Sequence, residues 1–197
     1  YNEMYPMPPM PAGVEDGIRR GLYKLAPATQ AGDRPRVHLF GSGAILREAM
    51  AAQALLAERG VAAEVWSVTS YSELRRDALA CERWNRLHPG AAPRQSYVAQ
   101  QLAAEPWPII AATDYLKAVP DQIGRFVPAG LVPLGTDGFG RSDTRDALRR
   151  HFEIDAASSA VAALAELARR GALPAEQVAA ALAELGVDAE AEDPARL

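Results

Sequence analysis

The strongest constraint on this chain is a repeated order: a short apolar run, a turn, then a stretch with helical periodicity. Val37–Phe40, Ala63–Val68, Ile109–Thr113 and Leu131–Leu134 are the apolar runs. Their length and bounding turns predict strands, and Ala63–Val68 is continuous enough to be buried on both faces. After Val37–Phe40 and the turn Gly41-Ser42-Gly43, Ile45, Ala49, Ala52 and Leu56 recur at helical spacing until Gly60 ends the run. Ser70 with Glu73 reads as a capping box opening a helix towards Leu87, which stops before Pro89. Gly90–Pro93 is loop, Ser96–Ala104 a further helix, and Tyr115–Phe126 a helix interrupted at Pro120. Two Ala-rich helices follow, about 156–170 and 174–185, with Pro174 at the start of the second. Val161, Leu164 and Ala168 line one, and Val178, Ala181, Leu182 and Leu185 the other. Alternating strands and helices predict an α/β fold on a mainly parallel sheet.

The ends are less regular. Residues 1–12 hold four prolines, which predicts an extended linker, and with no initiator Met the chain is expected to be a piece of something longer. A short helix is expected over 13–20. Gly21–Ala26 fits either state, since Leu22 and Leu25 suit a helix while Leu22-Tyr23-Lys24-Leu25 tolerates a strand. Gly32-Asp33-Arg34-Pro35 is turn chemistry. The folded domain is expected over 13–187, and the acidic tail from Asp188 to Leu197 is expected to fray.

Leu131–Phe152 concentrates the unusual chemistry. Three glycines, at 135, 138 and 140, follow the strand Leu131–Leu134 and mark a tight exposed loop. Asp143 reads as the N-cap of the next helix, with Asp146 three residues on and Leu148 and Phe152 on one apolar face. In a parallel sheet such a loop lies at the carboxyl ends of strands, where functional surfaces gather. Asp137, Phe139, Arg141, Ser142 and Asp143 are therefore the candidate interface. Arg141 has no local role, and arginine suits a bidentate pair across an interface.

Other chemistries are excluded or weak. A formal net charge of −4 and a pI near 5.5 argue against nucleic acid and acidic membranes. No apolar run approaches the ~20 residues of a membrane span. The single cysteine, Cys81, permits no internal disulfide and reads as a packed helix thiol. Gly41-Ser42-Gly43 sits at a strand-to-helix turn, where an anion could bind, but a dinucleotide fingerprint would need glycine at Leu46, and no GK[ST] is present. His38 reads as a satisfied residue of an apolar strand, His88 precedes Pro89 in a loop, and His151 ends a helix after Arg149 and Arg150, where a cation suits the dipole. No catalytic set stands out.

Several segments together resemble a known family. They are VEDGIR (Val14–Arg19), LFGSGAIL (Leu39–Leu46), VWSVTSYSEL (Val65–Leu74), CERWNRLHP (Cys81–Pro89), Thr113-Asp114-Tyr115 and LGTDGFGRSD (Leu134–Asp143). In this order, over essentially the whole chain, they resemble the transketolase C-terminal-like domain of the homodimeric pyruvate dehydrogenases. These enzymes are the thiamine-diphosphate-dependent decarboxylating component of the pyruvate dehydrogenase complex. The resemblance implies a three-layer α/β/α domain with a mixed, mostly parallel five-stranded sheet whose first strand is antiparallel, which would make Gly21–Ala26 a strand. It also implies a cytoplasmic homodimer that decarboxylates pyruvate with thiamine diphosphate and Mg²⁺ and acetylates the lipoyl group of the acetyltransferase core. In that family the preceding domains hold the cofactor across the dimer interface. The diphosphate motif is GDG followed by Asn; here there is no GDG, and the asparagines are Asn2 and Asn85. No catalytic, cofactor or metal residue therefore carries over, and the implied role is assembly. The alternative is a free-standing doubly wound module that takes a small anion at Gly41–Gly43.

Overall fold

The apolar runs form one five-stranded sheet in a computed structural model that describes residues 7–29 and 32–196. The first half of the expected linker, residues 1–6, lies outside the described residues, as does Leu197. Strands β1 (Leu22–Ala26), β2 (Arg36–Gly41), β3 (Ala62–Val68), β4 (Ile109–Ala112) and β5 (Leu131–Leu134) lie in the order β1-β3-β2-β4-β5. β1 runs antiparallel to β3 and every other pairing is parallel. Gly21–Ala26 thus resolves as strand after the short helix α1 (Glu15–Arg20).

Because side chains alternate along a strand, each strand feeds two cores. Val37, Leu39, Ala63, Val65 and Ile110 pack with Ala49, Ala52, Leu56, Ala160, Ala163 and Leu164 of helices α2 (Leu46–Glu58) and α7 (Ala156–Arg169). Helix α8 (Ala175–Leu185) adds Ala181 to this cluster. Phe40, Trp66, Val68, Ile109 and Ala111 face the other way. They pack with Leu74 of α3 (Tyr71–Leu87) and with Tyr97, Val98 and Leu102 of α4 (Tyr97–Leu102). The result is helix, sheet, helix. Burying each such Leu, Ile or Phe is worth about 1.5–3 kcal/mol, so both faces hold the sheet. Every residue of β3 is buried, as its composition predicts.

Three local expectations are corrected. Tyr115–Phe126 is not one broken helix; it contains only α5 (Ala118–Asp121) and a 3-10 turn at Gly124–Phe126. Pro120 lies within the first turn of α5, where its missing N–H costs nothing. The tail does not simply fray: a 3-10 turn at Pro194–Arg196 folds back and buries Pro194. The helix after the glycine loop, α6, spans Arg145–His151 and starts one residue late, for a reason given below.

β5 closes one side of the sheet. The carbonyls of Gly130 and Leu134 accept from Ile109 N at 3.3 Å and Thr113 N at 3.0 Å, so even-numbered residues bond inward to β4. Pro133, paired in register with Ala111, therefore points its backbone nitrogen away from the sheet.

Candidate functional site

At the carboxyl end of the sheet, the loops after β4 and β5 are laced together. Thr136 N donates to Tyr115 O at 2.9 Å, and Thr136 Oγ1 donates to Asp114 O at 2.9 Å. Tyr115 N donates to Thr113 Oγ1, which also accepts from Ser42 Oγ at 2.7 Å. Thr113-Asp114-Tyr115 is thus a structural clasp joining β2, β4 and β5. Gly135 makes the crossing possible: a Cβ there would stand 2.6 Å from Tyr115 O and 2.7 Å from Lys117 N.

The candidate interface residues fall into two groups. Asp137 is turned inward, its Oδ1 accepting from Lys117 N at 3.0 Å, so it belongs to the clasp. Asp143 accepts from the next amide, Thr144 N, at 2.6 Å. It is not the N-cap: Thr144 is, its Oγ1 accepting from Ala147 N at 3.4 Å. The Asp143 carboxylate turns back to its neighbour's amide and leaves the cap to Thr144. Phe139, Arg141 and Ser142 are exposed, Phe139 to 82%. Arg141 meets no ion-pair partner among the described residues. Gly138, with φ +95°, does approach another surface closely, but that surface is the Pro194 carbonyl of the same chain, whereas around Gly140 there is open space.

Beside this loop the carboxyl ends of β2 and β3 border a cavity of about 590 Å³. Its wall includes Ser42 and Gly43 of the glycine turn, Ser67 near the end of β3, Ser70 and Tyr71 after it, and Tyr115 from the clasp.

The histidines do not converge. His151 stands edge-on to Phe152 at the end of α6, and His88 is exposed. His88 stacks on Trp84 at 4.5 Å while the Arg94 guanidinium covers Trp84 at 4.1 Å. Asn85 then exchanges two hydrogen bonds with the Arg94 backbone, so CERWNRLHP pins the following loop to α3. His38 is buried and satisfied, as expected: Nδ1 accepts from Trp66 Nε1 at 3.1 Å, and Nε2 lies 2.7 Å from the Glu105 carbonyl. Sequence reasoning missed its neighbour Glu64, 5% exposed, which pairs with Lys24 Nζ at 2.8 Å and stands 3.3 Å from His38 Nδ1. The signal was present: a glutamate inside an otherwise apolar strand, which register sets beside His38. Burial would push the Glu64 carboxyl up, but the Lys24 ammonium, hydrogen-bonded to Oε1, holds it below the usual carboxylate range. Nδ1 cannot donate to Glu64 while accepting from Trp66, so the downward direction rests on Lys24. Burial and the nearby Asp77 push the Cys81 thiol up, which suits a packed thiol rather than a nucleophile. Among the described residues, no three His, Cys, Asp or Glu side chains are grouped to hold a metal ion.

Comparison with known proteins follows the same lines. Residues 21–155 match the family described as the transketolase-like TK C-terminal domain. The chain is 50% identical over 195 residues to the pyruvate dehydrogenase E1 component of Escherichia coli and 49% identical to that of Pseudomonas aeruginosa. To the Mycobacterium tuberculosis protein of the same name it is 45% identical over 184 residues. The first two alignments cover 98% of this chain but 22% of the relative, and the third covers 92% and 20%. Among solved structures, transketolase from Leishmania mexicana matches 81% of this chain and 20% of its own, with TM-score 0.49 and 20% identity.

Proposed function

We propose, from the premise that this chain belongs to the transketolase-like C-terminal domain family, that it is the assembly domain of a pyruvate dehydrogenase. The parent enzyme would be thiamine-diphosphate-dependent and acetyl-transferring, decarboxylating pyruvate and passing the acetyl group to the lipoyl group of the acetyltransferase core. The observation carrying this reading is the 50% identity to a named pyruvate dehydrogenase E1 component across 98% of the chain. The limits proposed are a linker over residues 1–12, the domain over 13–187 and an acidic tail over 188–197. The proposed setting is a cytoplasmic homodimer, and among the described residues no helix is long and apolar enough to cross a membrane.

The residues present do not fit thiamine diphosphate with Mg²⁺. The cavity wall carries no carboxylate among the described residues, and Asn85 is spent on the Arg94 backbone. The cofactor and metal belong, on this reading, to other segments of the parent enzyme. The chain's own part is to present a fixed surface. The clasp holds Asp137 and the loop base rigid, while Phe139, Arg141, Ser142 and the edge of Asp143 stand outward for another domain or the partner subunit.

Arg141→Ala in the full-length enzyme tests this. The expected outcome is weaker dimerisation in sedimentation or lower pyruvate turnover, with this domain's thermal midpoint unchanged. Unchanged dimer affinity together with unchanged kcat and KM would reduce the loop to a surface connection.

A further inference from the structure

The cavity at the carboxyl ends of β2 and β3 has an unusual wall. Two helices begin on it: the 3-10 turn Gly43–Ile45 that leads into α2, and α3 at Tyr71. The first amides of a helix have no partner within it and carry the positive end of its dipole. Here Ser70 Oγ accepts from Glu73 N at 3.1 Å, and Ile45 N returns to Ser42 O at 3.2 Å. The amides of Gly43, Tyr71 and Ser72 remain, without a partner among the described residues, and all three residues line the cavity.

A second observation is independent of the helix ends. Ser67, 7% exposed, lines the same cavity, and its hydroxyl meets no partner among the described residues. With the rest of the residue buried, that hydroxyl opens only where the cavity reaches it, free to donate to an occupant. The wall carries no Lys, Arg, Asp or Glu among the described residues, which argues against a metal cation and leaves amide and hydroxyl donors as the means of recognition. The sheet reverses its strand order between β2 and β4, and Tyr115, in the loop after β4, lines the cavity with Ser42 and Gly43. Open α/β sheets bind ligands at that crevice.

We propose that this cavity binds a small metabolite through an oxyanion, a carboxylate or a phosphate. The Gly43, Tyr71 and Ser72 amides and the Ser67 hydroxyl take the charged group, and the two helix dipoles balance its charge in place of a lysine or arginine. A volume of about 590 Å³ suits a metabolite rather than a bare ion. The inference does not depend on the enzyme reading, because it concerns a site that this chain builds by itself.

Both cores close within the chain, so the ¹⁵N-labelled 197-residue protein can be titrated directly. Inorganic phosphate and acetate are the probes, with sodium chloride at matched ionic strength as control. Saturable shifts confined to the Gly43, Tyr71 and Ser72 amides are expected from one probe or both, and the tighter one identifies the oxyanion class. Ser67→Ala should weaken that binding roughly three- to tenfold, the effect of one neutral hydrogen bond, and Ser67→Thr, which keeps the hydroxyl, should retain it. Shifts that never saturate, that chloride reproduces or that spread over the surface would overturn the proposal. So would unchanged affinity in Ser67→Ala. The wild-type titration decides alone should that variant not fold.

Discussion

His38 and Glu64 show how one residue can set a condition on the whole fold. The ring nitrogen Nδ1 faces both the Trp66 N–H and the Glu64 carboxylate, and one Glu64 oxygen, Oε2, is buried without a hydrogen-bond donor. Lys24 is the cation that keeps this carboxylate charged, and it also reaches Glu105 at 3.1 Å. A carboxyl held below its ordinary 4.5 in the folded chain contributes stability in full above about pH 4.5. That contribution is lost progressively as pH falls below 4.5, because the unfolded chain takes up the proton first. Glu64→Gln should therefore lower the thermal midpoint at neutral pH yet flatten its decline over that acid range. Parallel profiles for wild type and variant would show that Lys24 and Glu64 are not coupled to folding. A single sequence shows that a charge lies in a strand, but not which charge on another strand faces it. Lys24 meets Glu64 only because β1 pairs antiparallel with β3, and no local rule in the chain predicts that pairing.

The helices are read from sequence as well as their first residues allow. Ser70 and Ser96 cap α3 and α4 as polar residues ahead of apolar periodicity should. Only half of the capping box forms at α3, because the Glu73 carboxylate turns to Arg76. The start of α6 was misplaced because Asp143 and Thr144 satisfy the same rule one residue apart, and only side-chain geometry separates them. Thr144→Ala should thus cost about 1 kcal/mol of stability, while Asp143→Ala should cost clearly less. Equal losses in urea melts would return the cap to Asp143. The Ala-rich helix α7 shows a different limit. Its buried stripe is Ala160, Ala163, Leu164 and Leu167; of the expected Val161, Leu164 and Ala168, Leu164 is in the stripe and Val161 packs half-buried against it, while Ala168 does not join it. In a helix where half the positions are alanine, periodicity says little about which face turns inward.

At the scale of the molecule, the architecture was legible because alternating strand and helix admit few parallel arrangements. The candidate interface was legible only in part. The charges of the glycine loop were visible, but the division between clasp residues and outward ones depends on loops meeting after β4 and β5. The return of the tail was invisible, since nothing local links Pro194 to Gly138. Removing residues 188–197 should therefore speed hydrogen exchange at Thr136–Gly140 while leaving the core midpoint nearly unchanged. Unaltered exchange would mean that the turn at Pro194–Arg196 does not hold the loop. Pro133 has one more consequence. A sheet whose outermost strand offers a regular row of donors invites a foreign strand to join it, the usual route to swapped or fibrillar aggregates. With a proline at the outward-facing position, β5 lacks the donor that such an added strand would need. Any polypeptide that meets this molecule must recognise its side chains, and cannot simply extend its sheet on that side.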